Sequence, residues 1–238
     1  MVSRADIRRA GIFAATLLSV AVQLLLPAFA HADADERSPA HYTGLSISAP
    51  LDWHYVSGLD PDYSEAIYSV STGLAHRYYP PEGLGVALEV SYLFPWARVV
   101  STDSAEATTG RADHTSWSGL RAGASASARR DIGEFLPTAF PVFVHIDAGL
   151  RLTYYNREAS NIFGERALQS SRIGVAVAAR PGLILEIHDS FFVGVDVSLG
   201  ADMVNRETVN RRYLENIAYN SFFRGVSVAP GVSAGVSF

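Results

Sequence analysis

The stretch from Gly225 to Phe238, GVSVAPGVSAGVSF, decides the reading of this chain. Val226, Val228, Pro230, Val232, Ala234, Val236 and Phe238 fall on one face of an extended backbone, and only Gly, Ser or Ala falls on the other. A period of two is the pattern of a β-strand, whose successive side chains point to opposite sides. The apolar side therefore needs a protein core or lipid to cover it as far as the last aromatic ring.

The front of the chain bears on that choice. Arg4, Arg8 and Arg9 precede an apolar run over residues 11–26, followed by Ala28-Phe29-Ala30 and Ala30-His31-Ala32, both small-x-small cleavage sites. Residues 1–32 thus read as a secretory signal peptide cut at Ala30 or Ala32, and residues 33–238 as the exported domain. The competing reading is a retained anchor, since residues 11–30 nearly reach spanning length. There is no Cys, so a lipoprotein anchor and disulfides are both excluded. Loss of residues 1–32 removes three Arg and one Asp, which takes the net charge from −5 to −7. That acidity argues against nucleic-acid partners. No later apolar run is long enough for a spanning helix, so any membrane crossing must be made by strands.

The alternation recurs in seven further segments. The first covers residues 41–51, with Leu45, Ile47, Ala49 and Leu51 opposite Gly44, Ser46 and Ser48. The second covers 65–78, with Tyr68, Val70, Leu74 and Tyr78 opposite Ser69, Ser71, Gly73, Ala75 and Arg77. The third covers 84–96, where Leu84, Val86, Leu88, Val90, Tyr92, Phe94 and Trp96 oppose Gly85, Ala87, Glu89 and Ser91. Segments over 114–128, 138–155, 168–187 and 191–203 behave alike, and the eighth runs from about residue 220 to the end. Between them, short connections near 79–83, 129–137 and 188–190 alternate with long polar ones near 52–64, 99–113, 156–167 and 204–219. Outward aromatics sort onto two levels: Tyr78, Phe140, Phe191 and Phe238 by the short turns, and Tyr68, Trp96, Tyr154 and Phe222 by the long loops. Two aromatic girdles and alternating loop lengths predict an all-β fold, an eight-stranded antiparallel up-and-down transmembrane β-barrel, closed because lipid tolerates no open strand edge. A soluble sandwich would also alternate, but it has no reason to sort its aromatics by height.

Over residues 42–238 the sequence resembles the small eight-stranded bacterial outer-membrane barrels, the group that includes the transmembrane domain of outer-membrane protein A and the outer-membrane protein W and X families. The resemblance rests on strand count, loop asymmetry and the ending Val236-Ser237-Phe238, which is similar to the insertion signal of such barrels, with Gly231 and Gly235 spaced differently from the usual motif. It implies an integral protein of the Gram-negative cell outer membrane, porin-like in architecture, with extracellular loops and with short turns and C-terminus in the periplasm. It also implies a monomer without cofactor that meets periplasmic chaperones and the barrel-insertion machinery during biogenesis, and outer-membrane lipid and lipopolysaccharide afterwards.

Three prolines interrupt the expected ladder. Pro141, Pro181 and Pro230 each lack a backbone donor, and the unbroken phase across Pro230 predicts a bulge or local break within one long strand.

Carried to the inner face, the phase gathers Glu89, Arg121, His145, Asp147, Arg151, Arg172, Arg180, Glu186, Asp196 and Asp202. Mixed charges in so narrow a lumen should pair across it, because an unpaired buried charge costs several kcal/mol. The expected function is structural, envelope-anchoring or surface-recognition, with the lumen plugged by salt bridges. A narrow channel for small or hydrophobic solutes is the alternative, given the many inward Gly, Ala and Ser. On the outside, Arg98 and Arg224 lie on the outward phase beyond the upper girdle, near Arg157, Arg166, Arg206, Arg211 and Arg212, where guanidinium groups match lipopolysaccharide phosphates; snorkelling or loop solvation explains them equally.

Lipid A-modifying enzymes occur among small barrels, and a hydrolase of that kind needs Ser beside His beside a carboxylate. Asp52, His54, Ser57 and Ser64 fall in the first expected loop, His114 and Ser116 in the second, and His188-Asp189-Ser190 in a tight turn where Asp and Ser are common anyway. None sits in a nucleophile motif, which favours a protein that is not an enzyme. The seven scattered His show no metal-ligand spacing.

Overall fold

The computed structural model describes residues 40–56, 63–81, 84–102, 114–135, 139–160, 166–188, 190–211, 214–222 and 225–238. The expected signal peptide lies outside them. Ten strands follow in chain order: β1 (Ala40–Ser48), β2 (Leu51–Val56), β3 (Tyr63–Tyr79), β4 (Gly85–Thr102), β5 (His114–Asp131), β6 (Val142–Ser160), β7 (Arg166–His188), β8 (Phe191–Arg211), β9 (Leu214–Phe222) and β10 (Gly225–Ser237). All described pairings are antiparallel, and β1 with β2, like β9 with β10, makes one interrupted staff of the ring. Each staff pairs with its chain neighbour, and β10 closes on β1 from Tyr42↔Ser237 to Ser48↔Gly231. The result is an eight-membered up-and-down barrel. Mutual backbone bonds between His41 and Phe238, at 2.8 and 3.0 Å, clasp the seam, and the two rings stack 5.3 Å apart.

The polarity is inside out. Leu45, Leu74, Leu88, Val90, Leu120, Leu150, Ile173, Val195, Val232 and Phe238 are among the large apolar side chains left exposed, while Arg77, Arg121, Asp147 and Arg151 are almost fully buried. Large apolar side chains are exposed on every staff, which makes a continuous belt where a soluble monomer shows only scattered patches. Hydrocarbon on the outside and charge on the inside is the arrangement of a transmembrane barrel.

Strand ends depart from the sequence expectation. The long polar connections are largely strand: β2 runs on to Val56, β6 to Ser160, β8 to Arg211, and β9 occupies Leu214–Phe222. Polar residues there extend the hairpins beyond the apolar band, because backbone pairing does not need lipid. The fifth strand begins at Val142 rather than 138, since Pro141 cannot donate to the ladder and a short 3₁₀ turn, Gly133–Phe135, precedes it. Outward Val142 and Ile146 are buried rather than exposed; their cross-strand partners are the bulky Leu185 and Pro181.

The prolines break pairing without shifting it. Ala49 donates to the Pro230 carbonyl at 2.9 Å, but Pro230 has no N–H to return. Register is the same below the gap (Ser48↔Gly231) and above it (Leu51↔Val228), so this is a local break and not a bulge. Pro181 likewise interrupts the β7–β8 ladder between Ala179↔Leu199 and Gly182↔Asp196. True bulges lie elsewhere. Trp96 is the extra residue between Pro95↔Ser69 and Ala97↔Tyr68, and Met203 the extra one between Asp202↔Ala176 and Val204↔Val175.

Candidate functional site: the ion-paired lumen

The interior is filled at four heights. At the short-turn end Tyr42, Tyr79, Phe143, Ile184 and Phe192 form a buried cluster. Tyr42 meets Tyr79 and Phe192 edge-on at 5.7 and 5.3 Å. The Arg129 guanidinium lies over the Tyr42, Tyr79 and Phe143 rings at 5.3, 5.1 and 4.7 Å. It donates to the Tyr42 hydroxyl, which donates to Glu186, and it stands 3.8 Å from that carboxylate. A desolvated cation on aromatic faces is stabilised by about 2 kcal/mol.

The middle level is ionic. Arg77, 2% exposed, donates from Nε to Asp147 at 2.9 Å and sets a second nitrogen 3.6 Å from Asp196. Arg180 pairs with Glu89 and approaches Asp196 at 3.7 Å. Asp147 also accepts from Ser127 at 2.5 Å and lies 3.6 Å from His145. Beside this network Ala75, Ala87, Gly123, Ser125 and Ala178 leave a void of about 20 Å³, room for roughly one water.

Higher still, one Arg121 nitrogen reaches both Asp52 oxygens at 3.0 Å, and the Tyr155 hydroxyl donates to the same carboxylate. Arg151 is held by two hydroxyls, Ser198 at 3.2 Å and Ser227. A Cβ on Gly200 would run into both the Arg151 guanidinium and the Ser227 hydroxyl, so glycine there lets the guanidinium lie against the wall. His54 Nδ1 sits 2.9 Å from Asp202 and 3.1 Å from Asn205. At the long-loop end Arg172 bridges Glu65 and, at 2.8 Å, Glu207. Below that bridge Ile67, Leu93 and Tyr155 make a second apolar cluster against Trp117.

These pairs span the ring rather than link neighbours. Arg77 on β3 meets Asp147 on β6, Arg121 on β5 meets Asp52 on β2, Arg180 on β7 meets Glu89 on β4, and Arg172 on β7 meets Glu65 on β3. Chemically the arrangement holds staves together and displaces water, since these paired charges are compensated where solvent cannot reach them, and Arg151 is held by hydroxyls instead.

All ten charged positions projected inward from the sequence lie in this lumen, Arg151 on hydroxyls, His145 and Asp202 in histidine–carboxylate contacts, and the other seven in arginine–carboxylate ion pairs. Arg77, Arg129, Asp52, His54, Glu65 and Glu207 belong to it as well. Asp52 and His54 correct the expected first loop: they are on β2, and both are buried. Ser57, Asp189, Arg212 and Arg224 lie outside the described residues, as do the side chains of Arg98, Arg166, Arg211, His114 and Ser116. The outward phase assigned to Arg98 ends at the Trp96 bulge, and the register partner of Arg98 is the buried Ile67. Arg157 is on β6, its guanidinium 5.1 Å from the Trp117 ring, while Arg206 is exposed on β8.

No family model matches this chain, and no curated protein sequence matches it. Among solved structures it is similar to Ail, the attachment invasion locus protein of Yersinia pestis, at 12% identity over 85% of this chain and 100% of that one, with a TM-score of 0.47. It is also similar to neisserial surface protein A, at 14% identity over 84% and 99%, TM-score 0.44. The outer membrane protein OprG from Pseudomonas aeruginosa matches at 12% identity over 84% and 95%, TM-score 0.48. Ring closure, the apolar exterior and the ion-paired interior, rather than these modest scores, make the chain a small eight-stranded barrel of the outer-membrane kind.

Proposed function

We propose that this protein is a closed, non-enzymatic barrel that anchors in the outer membrane and works through the surface exposed at its long-loop end. The observation that carries the reading is the set of trans-lumen ion pairs stacked between two apolar clusters, with a void of about 20 Å³ beside the middle pairs. Eight strands enclose a bore that side chains fill, and here guanidinium groups fill it at every height. The long-loop end, extended by the β6–β7 and β8–β9 hairpins, then faces outward and supplies the recognition surface.

Single-channel recording on the refolded protein in a planar bilayer tests this. The expectation is a silent membrane at neutral pH. Regular ohmic steps that change on removal of Arg180 would replace the plugged reading with the narrow-channel one. Lipid A of unchanged mass after incubation with the purified barrel is the expected result for a non-enzyme.

A further inference from the structure

One strip of the lipid-facing wall is polar. His41 and Thr43 on β1 share the outward parity of Leu45 and Ile47, and His76 and Tyr78 on β3 share that of Val70 and Leu74. Register sets them side by side at the short-turn end, His41 opposite Tyr78 and Thr43 opposite His76. The two imidazoles lie 5.6 Å apart, and His41 packs 4.6 Å from the Tyr78 ring besides stacking on Phe238. His76 is held by its Nδ1, 2.7 Å from the Thr43 hydroxyl.

The strip is bordered by Leu45, Leu74, Leu88, Val236 and Phe238, which are between 41% and 70% exposed, so lipid lies against all of them. Polar side chains on such a wall are costly and point to a partner. Yet His76 Nε2, both ring nitrogens of His41 and the Tyr78 hydroxyl have no hydrogen-bond partner among the described residues. The main-chain oxygen of Phe238 is engaged within the sheet, where it accepts from the His41 N–H at 2.8 Å. Height then names the occupant. Tyr78 and Phe238 stand in the lower aromatic girdle, at the level of the headgroups, and His76 lies one rung deeper. The polar atoms of a bilayer at that level are phosphate and glycerol oxygens, acceptors that suit N–H and O–H donors. The strip is one side chain wide on each of two strands, so a single headgroup fills it, whereas a protein partner would also have to cover the exposed leucines beside it.

We propose that His41, His76 and Tyr78 form a binding site for the phosphate of one glycerophospholipid in the periplasmic leaflet; this rests on the reading above in which the long-loop end faces outward. The imidazole N–H groups and the phenol hydroxyl donate to the phosphate. Thr43 fixes the His76 ring through Nδ1 and leaves Nε2 to the lipid. The acyl chains then run over Leu45, Leu74 and Leu88, which the same two strands and β4 expose. Since His41 also stacks on Phe238, the bound headgroup sits on the seam where β1 closes on β10.

The test uses the full-length mature barrel refolded in maltoside micelles and three probes: phosphatidylglycerol, a galactosyl diacylglycerol that lacks phosphate, and lipid A. Retained lipid is counted by native mass spectrometry. The wild type should hold phosphatidylglycerol about tenfold more tightly than the double variant His41→Phe, His76→Leu, which loses hydrogen bonds to a charged acceptor. Phe and Leu both suit a lipid-facing wall, so the variant should fold with unchanged gel mobility. A second reading needs no variant: the imidazole nitrogen NMR resonances of His41 and His76 should shift with phosphatidylglycerol and stay put with the phosphate-free lipid. Equal retention of the phosphate-free lipid, or phosphatidylglycerol binding unchanged in the double variant, overturns the proposal. Loss of stability of the double variant in lipid-free micelles assigns the strip to the fold and overturns it too. Retention of lipid A in place of phosphatidylglycerol does the same by pointing to the other leaflet. Labelling of an Arg206→Cys variant on intact cells reads the orientation by itself, so failure of the site and failure of the orientation are told apart.

Discussion

Arg77→Met is the sharpest test of the ion-paired lumen. The guanidinium is 2% exposed and bonds Asp147 at 2.9 Å, with Asp196 at 3.6 Å. Methionine keeps much of the bulk but leaves Asp147 with Ser127 and a weaker contact to His145 at 3.6 Å, and leaves Asp196 with Arg180 alone at 3.7 Å. Breaking a buried pair by removing one partner costs about 3–5 kcal/mol, because the other charge stays behind. At about 1.4 kcal/mol per decade, that lowers the folding equilibrium constant by at least a hundredfold. Adding Asp147→Asn removes the stranded charge and should return about half of the loss. The assay is urea unfolding of the barrel refolded in lipid vesicles, followed by tryptophan fluorescence, for the wild type, both single variants and the double variant. A loss below about 1 kcal/mol for Arg77→Met, or additive single effects, would show that water already solvates these groups and that the lumen is not sealed by them.

Other perturbations separate the levels. Phe192→Ala removes a ring from the short-turn cluster and should cost about 3–5 kcal/mol in the same urea assay. Gly182→Ala sets a Cβ 2.5 Å from His145 Nε2 and 2.7 Å from the Asp196 Cβ, so refolding yield on gel mobility should fall with a penalty of about 1–3 kcal/mol. Pro230→Val supplies an N–H across from Ala49, which already donates to the residue 230 carbonyl, and should raise stability by about 1 kcal/mol in the same assay. Deleting Phe238 removes both backbone bonds to His41 and the stacked ring, so folding into vesicles should slow measurably while the far-ultraviolet spectrum of the folded fraction stays that of a β-barrel.

The architecture was legible because strand geometry has an integer period. One residue, Val232 or Leu88, tells the face of its whole strand, and outward aromatics then report height. What escaped did so for identifiable reasons. Asp52 and His54 share the parity of Gly44, Ser46 and Ser48, so carrying the phase through Ala49-Pro50 would have found them; the proline and the polar composition looked like a strand end, whereas the structure keeps register across the gap. Arg129 and Glu65 likewise sit in phase with Arg121 and Ser69, but near strand ends where polar residues resemble loop. The inward rings of Tyr42, Tyr79, Phe143 and Phe192 were hidden for the opposite reason. Next to outward Tyr78, Val142 and Phe191 they make both faces apolar, and alternation loses its contrast.

The bulges mark where parity itself fails. An inserted residue reverses which side chains face inward, so no reading at fixed period can continue past it. At Met203 the reversal turns Asn205 and Glu207 inward, and that is how Arg172 gains its second carboxylate. At Trp96 the same device stands just beyond the last described β4–β5 rung, Leu93↔Gly119. These two insertions lie toward the long-loop end; a third, Ile187 between Glu186↔Phe192 and His188↔Phe191, lies beside the short turn at the other rim. Between the rims, pairing interrupted by Pro181 and Pro230 keeps its register, because one slipped residue would put the lumen's arginines into hydrocarbon. The membrane thus fixes the phase of the strands that cross it, and inserted residues are tolerated toward the two rims, where a reversed side chain meets headgroups or water rather than hydrocarbon.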